Sequence, residues 1–472
     1  MTTPPNILWL CTDQQRYDTI HALGHSLARS PNVDRLIDEG VAFTQAYCQS
    51  PVCTPSRASF LTGRYPRTTR CRQNGQKIPD DEVLVSRMFA DAGYRCGLAG
   101  KLHLASCSDG RVESRIDDGY HDFHWSHHPQ PDWPENAYTQ WLTAHGQNWD
   151  DLYSGSSTGF VRQGVPAEYH QTTWCAEMTC DFIRANTGRP WFFSFNCFDP
   201  HHPFDPPPEY MERYDPAEMP LPKRRDGELD SKTTFQRLDA VWAHNSPGEF
   251  HTGAMTDDDR RQVAAANLAM CELIDDQVGR IMQTLEETGE RDNTIVIFMS
   301  DHGEMLGDHG IYFKGPHFYD EAIHVPLVIS CPGRFQSGLR VNGLTELVDL
   351  VPTLLDTSGL SIPTRVQGQS LLPYLTGEAD PEMHREFVYS EYYNSWTHSD
   401  AYGTMLRTSD AKIVVYHGTD QGELYDLKSD PDEFENLWDS AEHQSLKLRM
   451  MQKCFDASVL SMDPDPPRLG PF

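Results

Sequence analysis

Apolar residues in this chain fall into uninterrupted runs more often than into alternating ones. NILWL near the start, PWFFSFN, TIVIFMS and VPLVIS are apolar on both faces, the pattern of strands covered on both sides by helices. Between them lie amphipathic stretches. Ser30-Pro31 supplies an N-cap and a first helical residue for a helix through VDRLIDEG that stops at Gly40. VAFTQAYC reads as a strand, the segment after Cys53 as a helix ending near Gly63, and a helix near 80–92 leads into the strand YRCGLAGK. A long helix beginning near DDDRRQ precedes TIVIFMS. This alternation predicts an α/β fold whose mostly parallel sheet is flanked by helices.

Two regions depart from it. Between about 105 and 170 the chain is rich in His, Trp, Pro and Gly, densest in HDFHWSHHPQPDWPENAY, and reads as an excursion over the active face, with a structural lobe elsewhere as the alternative. Its tryptophans suit either a substrate wall or plain packing. Towards the end FVYSEYYN, YGTMLRT, AKIVVYH and ELYDL read as short antiparallel strands before a helix through HQSLKLRMMQKCF. The expected division is a catalytic α/β domain over 1–372 and a smaller α+β domain over 373–472.

Composition narrows the function. A formal net charge of −30 without a basic stripe argues against nucleic acid as a partner. It also means that an anionic substrate needs the few cations gathered in one cleft. No apolar run reaches the length of a membrane span, and MTTPPNILWL lacks the features of a signal peptide, so a cytoplasmic location without membrane association is expected. Twelve cysteines without paired spacing favour reduced thiols over a disulfide framework, one or two bridges being the alternative.

The chemistry gathers where strands end, the place where open parallel sheets bind ligands. Asp13-Gln14 follow the first strand, Lys101 and His103 follow YRCGLAG, His201 follows PWFFSFNCFDP, and Asp301-His302 follow TIVIFMS. A lone acid such as Asp13 is equally a helix N-cap, but four strand ends with polar pairs resist that reading. Asp13, Gln14 and Asp301 offer oxygen to a hard cation such as Ca²⁺ or Mg²⁺, and His302 adds a nitrogen that tilts towards Mn²⁺. Cys53, in SPVCTPSRASFLTGRYP, opens a helix with Arg57 one turn on. It suits a thiolate nucleophile, although a thiolate is a poor neighbour for a hard metal ion.

Taken with NILWLCTDQQR, GYRCGLAGKLH, FDPHHPF, IVIFMSDHGEMLGDHG, KGPHFYDEAIHVPLVI and ELYDLKSDPDEFENL, the chain resembles the type I sulfatases of the alkaline phosphatase superfamily over nearly its whole length. The resemblance implies an alkaline-phosphatase-like fold and Cys53 converted to Cα-formylglycine by a formylglycine-generating enzyme. It further implies one divalent metal, Ca²⁺ foremost with Mn²⁺ or Mg²⁺ as alternatives, held by Asp13, Gln14, Cys53, Asp301 and His302. Arg57 would orient the aldehyde hydrate, and Lys101, His103, His201 and Lys314 would grip the sulfate and protonate the leaving oxygen. Asn74 would add a donor, or be an ordinary loop residue. Lys314 taken alone reads as a solvated lysine; only KGPHFYDEAIHVP reverses this.

The implied reaction is hydrolysis of aryl or carbohydrate sulfate monoesters. Gln14 and His302 instead resemble the choices of phosphonate monoester hydrolases, which makes phosphonate monoesters or phosphodiesters the alternative substrates. Lys101 and His103 form the Gly-Lys-x-His element of the sulfatases and weigh more. A silent scaffold would lack some of these residues, and a thiol redox protein would need Cys48 or Cys71 to resolve Cys53. His202, His309, His317 and His324 read as supporting residues. The sequence leaves self-association open, a homo-oligomer included.

Overall fold

The computed structural model of the chain describes residues 4–108, 111–129, 135–155, 157–242, 250, 252–395, 400–466 and 470. Its centre is an eight-stranded sheet in the order Leu339–Val341, Val41–Phe43, Leu327–Ser330, Thr294–Ser300, Asn6–Thr12, Trp191–Asn196, Arg95–Gly100, Asp122–Trp125. All neighbours pair in parallel except at Leu327–Ser330, which runs antiparallel to both of its partners. The apolar runs are explained by cover on both faces. Along the first strand Ile7, Trp9 and Cys11 enter one core while Leu8 and Leu10 enter the other. Ile295, Ile297 and Met299 alternate with Val296 and Phe298 in the same way. Helices Gln171–Asn186 and Asp257–Glu287 cover the second face. The latter starts with a capping box between Thr256 and Asp259.

Local details differ from expectation where tertiary contacts compete. The first long helix, Pro31–Asp38, has Ser30 at its N-cap, but the hydroxyl makes no cap bond; it accepts from the His21 N–H and donates to Asp34. VAFTQAYC splits: Val41–Phe43 joins the main sheet and Ala46–Tyr47 pairs with Thr345–Glu346. The helix expected near 80–92 begins only at Val85.

The excursion does two jobs. Asp122–Trp125 becomes an edge strand of the main sheet, and helix Ala137–Ala144 places Tyr138 and Leu142 in its second core. Trp141 and Trp149 pack against that core, so these tryptophans serve packing. Residues 109–110, 130–134 and 156 of the excursion lie outside the described residues.

Four antiparallel strands, Val388–Tyr393, Tyr402–Arg407, Ala411–Tyr416 and Gly422–Asp426, form the C-terminal sheet, and helix Gln444–Leu460 lays Met450, Cys454 and Ala457 on it. The sheet is tied to the main body by buried ion pairs: Lys412 bridges Asp320 and Glu433, and Arg385 bridges Glu346 and Asp349. The outer stripe of the helix, including Leu448, Phe455 and Leu460, is exposed. Among the described residues no helix is long and apolar enough to cross a membrane, and all twelve cysteines are free thiols.

Candidate active site

Register brings the site together. Thr12 pairs with Ser300, so Asp13 and Asp301 leave adjacent strands side by side. Lys101 leaves the next strand but one, held by its N–H to the Asn196 carbonyl at 2.9 Å. Just before it, Gly100 has φ +103°, and a Cβ there would lie 1.9 Å from the Asn196 oxygen; only glycine fits this close approach. Gln14 and His103 carry positive φ of 67° and 59°, rare for non-glycine residues and concentrated at functional sites. A buried carboxylate helps to hold the second: Glu113 accepts from the N–H groups of His103, Leu104 and Ala105 and from Trp125 Nε1.

Cys53 opens helix Cys53–Thr62 and is 1% exposed. Its sulfur lies 3.1 Å from His302 Nε2, 3.7 Å from Lys101 Nζ and 3.9 Å from Asp13 Oδ1. Arg57, one turn along, donates to Asp13 at 3.0 Å and to Asp301 at 2.8 Å. Asn74 accepts from the Thr54 N–H at 2.9 Å, so its oxygen is spent on the helix terminus while the residue lines the cavity. Lys314 Nζ donates to Gln14 Oε1 at 2.6 Å, and Gln14 Nε2 bonds Glu304. His201 stacks on His202 and lines the same cavity. All eleven residues singled out in the sequence therefore meet in one region.

The electrostatics follow from burial against charge. Burial alone would raise the Cys53 thiol, but Lys101, Lys314 and His302 hold it well below the ordinary cysteine value. Burial and the Cys53 sulfur push Asp13 up; Lys101, Arg57 and Lys314 outweigh them and keep it below the usual carboxylate range. Burial, helped by Lys101, pushes His103 down to about 4. Burial also depresses His201, with Lys314 adding to it. The cations that a net charge of −30 makes scarce are concentrated where an anion would bind.

Asp13, Cys53, Asp301 and His302 are all buried and offer ligand atoms within 4.8 Å of one another, a possible metal site. The donors fit a divalent ion: two carboxylates, plus a histidine whose Nδ1 faces the Gly303 carbonyl at 2.9 Å and leaves Nε2 towards the cluster.

Beside the cluster opens a cavity of about 450 Å³. Its walls include His127, His128, Tyr153, Arg162, His170 and Asp205 from the excursion and the loop after Trp191–Asn196. Sequence reasoning missed these individually, as it missed Glu113 and Glu304. Only Glu304 carried a local signal, three residues after Asp301 in SDHGEM.

Other expected supporting histidines sit apart. His309 bonds Glu228, His317 bonds Asp239, and His324 stacks between Tyr17 and Tyr47. Cys48 and Cys71 turn their thiols to the Ser50 and Gln76 carbonyls.

Comparison with known proteins adds the lineage. A family profile described as "Sulfatase" matches residues 5–360, and one described as "N-sulphoglucosamine sulphohydrolase, C-terminal" matches 307–459. The chain belongs to the sulfatase family. It is a sulfatase enzyme of the alkaline phosphatase superfamily. Among curated relatives, an N-acetylglucosamine-6-O-sulfatase of Bacteroides thetaiotaomicron is 26% identical, covering 98% of this chain and 88% of the relative. An arylsulfatase of Clostridium perfringens is 28% identical, covering 93% and 91%. Among solved structures, a phosphonate monoester hydrolase from Silicibacter pomeroyi superposes with a TM-score of 0.86 at 27% identity, covering 97% of this sulfatase and 96% of the neighbour.

Proposed function

We propose that this sulfatase hydrolyses sulfate monoesters of carbohydrate or aryl alcohols, with Cys53 carried as Cα-formylglycine and one divalent ion, Ca²⁺ foremost, at Asp13, Gln14, Asp301 and His302. The observation that carries this reading is the ring of buried cations and histidines around Cys53, combined with a carboxylate pair that suits a hard cation. In this reading the Cys53 sulfur stands where the hydrate oxygens would be.

When bound, the ion would lower the pKa of a hydrate hydroxyl and polarise a sulfate oxygen. The side chains supply the rest. Arg57 fixes both carboxylates and, with Asp13, the approach to position 53. Lys101 and Lys314 offer charge-assisted hydrogen bonds to the non-bridging oxygens in a site that excludes water. His103 holds a proton beside position 53, and His201 faces the cavity from which the alcohol leaves. Carried at position 53, the aldehyde hydrate would supply two hydroxyls, one as the nucleophile towards sulfur and one to release the sulfate, so that water need not attack sulfur directly. Maturation requires a formylglycine-generating enzyme, and a cytoplasmic setting is part of the same reading. The relative named for N-acetylglucosamine-6-O-sulfate chemistry, together with Arg162 in the cavity wall, favours a saccharide. The division at 372/373 is proposed with the same reading.

Gln14, His302 and the phosphonate monoester hydrolase neighbour support a second reading, in which phosphonate monoesters or phosphodiesters are turned over at the same site. The test is kcat/KM for an aryl sulfate against the matching aryl phosphonate monoester. The sulfate is expected to be preferred; a large preference for the phosphonate would reverse the order.

A further inference from the structure

Beyond the metal cluster at Cys53 there is a second group of metal-ligating side chains. His103, Cys107 and His127 offer one ring nitrogen, one sulfur and one ring nitrogen, all within 4.8 Å of one another. The reaction described above uses only His103.

Three features distinguish this group from a chance gathering. First, the donors are nitrogen and sulfur, which suit Zn²⁺ or Co²⁺ and not the hard ion favoured by Asp13 and Asp301. Second, His103 Nδ1 and His127 Nε2 are buried with no hydrogen-bond partner. Such orphaned nitrogens are uncommon in native proteins. The other nitrogen of His127 is engaged, with Nδ1 2.6 Å from His128 Nδ1. Third, the scaffold is preorganised. Glu113 accepts from the backbone of 103–105 and from Trp125, so one carboxylate fixes the loop bearing His103 and the strand end two residues before His127.

We propose that His103, Cys107 and His127 form a second metal site, taking a borderline divalent cation such as Zn²⁺, and that its occupation places a cation on His103 Nδ1, stops that ring from taking up a proton beside position 53 and arrests turnover. Tetrahedral zinc with bonds of about 2.0–2.3 Å needs ligands roughly 3.3–3.8 Å apart. The group therefore has to close by about 1 Å, a movement assigned to Cys107, which is half-buried like His127 and, unlike the loop backbone at His103, is not held by Glu113. On binding, the Cys107 S–H bond breaks, a sulfur–metal bond forms and the proton passes to solvent; no electron transfer is involved. Glu113 and the Cys53 position on one side and Lys101 on the other are in electrostatic reach of that sulfur, so the site carries a compensating charge as well as a repelling one. A water or His128 completes the fourth position.

The test uses mature enzyme saturated with its own divalent ion and adds Zn²⁺ or Co²⁺ alone as probe. Aryl sulfate turnover and near-ultraviolet absorption are followed together. Expected for the wild type are inhibition by Zn²⁺ and, with Co²⁺, a thiolate-to-cobalt charge-transfer band. Cys107→Ser lies outside the catalytic machinery and should keep its uninhibited turnover, lose the band and need about 10- to 100-fold more Zn²⁺ for the same inhibition. Cys107→Ala, should the serine variant fold poorly, carries the same expectation. Absence of the band in the wild type, or equal zinc sensitivity in wild type and variant, overturns the proposal. The cobalt band does not depend on which ester is hydrolysed, so its failure is distinct from failure of the sulfate-ester reading.

Discussion

Lys101 Nζ stands 2.5 Å from Asp13 Oδ2 while also facing the Cys53 sulfur at 3.7 Å. One ammonium thus neutralises a carboxylate of the metal cluster and points a donor at the reacting position. The two roles make opposite demands, because a cation beside Asp13 competes with a metal ion for the same oxygen. Lys101→Met is expected to lower kcat/KM for an aryl sulfate by about 10²- to 10³-fold. It should at the same time tighten divalent metal binding, measured by calorimetry. A loss of both together would mean that Lys101 merely holds the site in shape.

Arg57 is buried between Asp13 and Asp301 and bonds both. Removing it leaves two buried carboxylates without their shared cation. Arg57→Met is expected to cost about 3–5 kcal/mol of stability in metal-free protein. Saturating divalent ion should recover part of this, because the ion supplies the missing positive charge. Denaturant unfolding with and without metal checks it; a cost unchanged by metal would separate Arg57 from the cluster.

Metal removal should be visible in the wild type as well. An ion bound only by the native state adds about 2.7 kcal/mol at a hundredfold excess over its dissociation constant. Chelation is therefore expected to lower the unfolding midpoint and abolish turnover, with both restored by Ca²⁺. Full turnover after exhaustive chelation would refute a role for the ion.

These expectations were legible in the sequence to an unequal degree. Asp13, Lys101 and Asp301 could be read because each directly follows an apolar strand, and a parallel sheet brings such ends together without further information. The antiparallel turn of Leu327–Ser330 could not, since a strand covered on both faces carries no sign of its direction. The splitting of VAFTQAYC was hidden because an apolar run does not record which strand each part of it pairs with. Glu113 and the cavity histidines were out of reach because their positions depend on how an irregular segment folds back, which no periodicity records. Asn74 was found, but its oxygen proves to be engaged by the Thr54 N–H.

Arg162 lines the same cavity as Cys53 and is in electrostatic reach of Asp205. Lys101, Lys314 and His302 already surround Cys53, so this exposed guanidinium suits a second anionic group on the alcohol. Arg162→Ala is expected to raise KM about tenfold for a saccharide carrying a second sulfate, from the loss of one charge-assisted contact. The aryl sulfate, which has no such group, should be unaffected. Equal effects on both substrates would place Arg162 outside alcohol recognition.

A pH dependence of stability follows from His324, which is not among the residues lining the cavity beside Cys53. The ring stacks on Tyr17 at 4.0 Å and on Tyr47 at 4.9 Å, and its Nε2 lies 2.9 Å from the Thr44 carbonyl. Burial pushes it down to about 4 from an ordinary 6.5, with Arg407 adding to the shift and Asp320 opposing it. Between those values the unfolded chain takes up a proton that the native state refuses. The stabilisation is therefore complete above pH 6.5 and lost as pH falls through 4, by about 3 kcal/mol at most. His324→Gln keeps a donor for Thr44 but cannot titrate. The variant should be less stable than the wild type at pH 7.5, and the gap should close towards pH 4.5. Urea unfolding at the two pH values measures it, and a gap independent of pH would show that the ring is not held neutral.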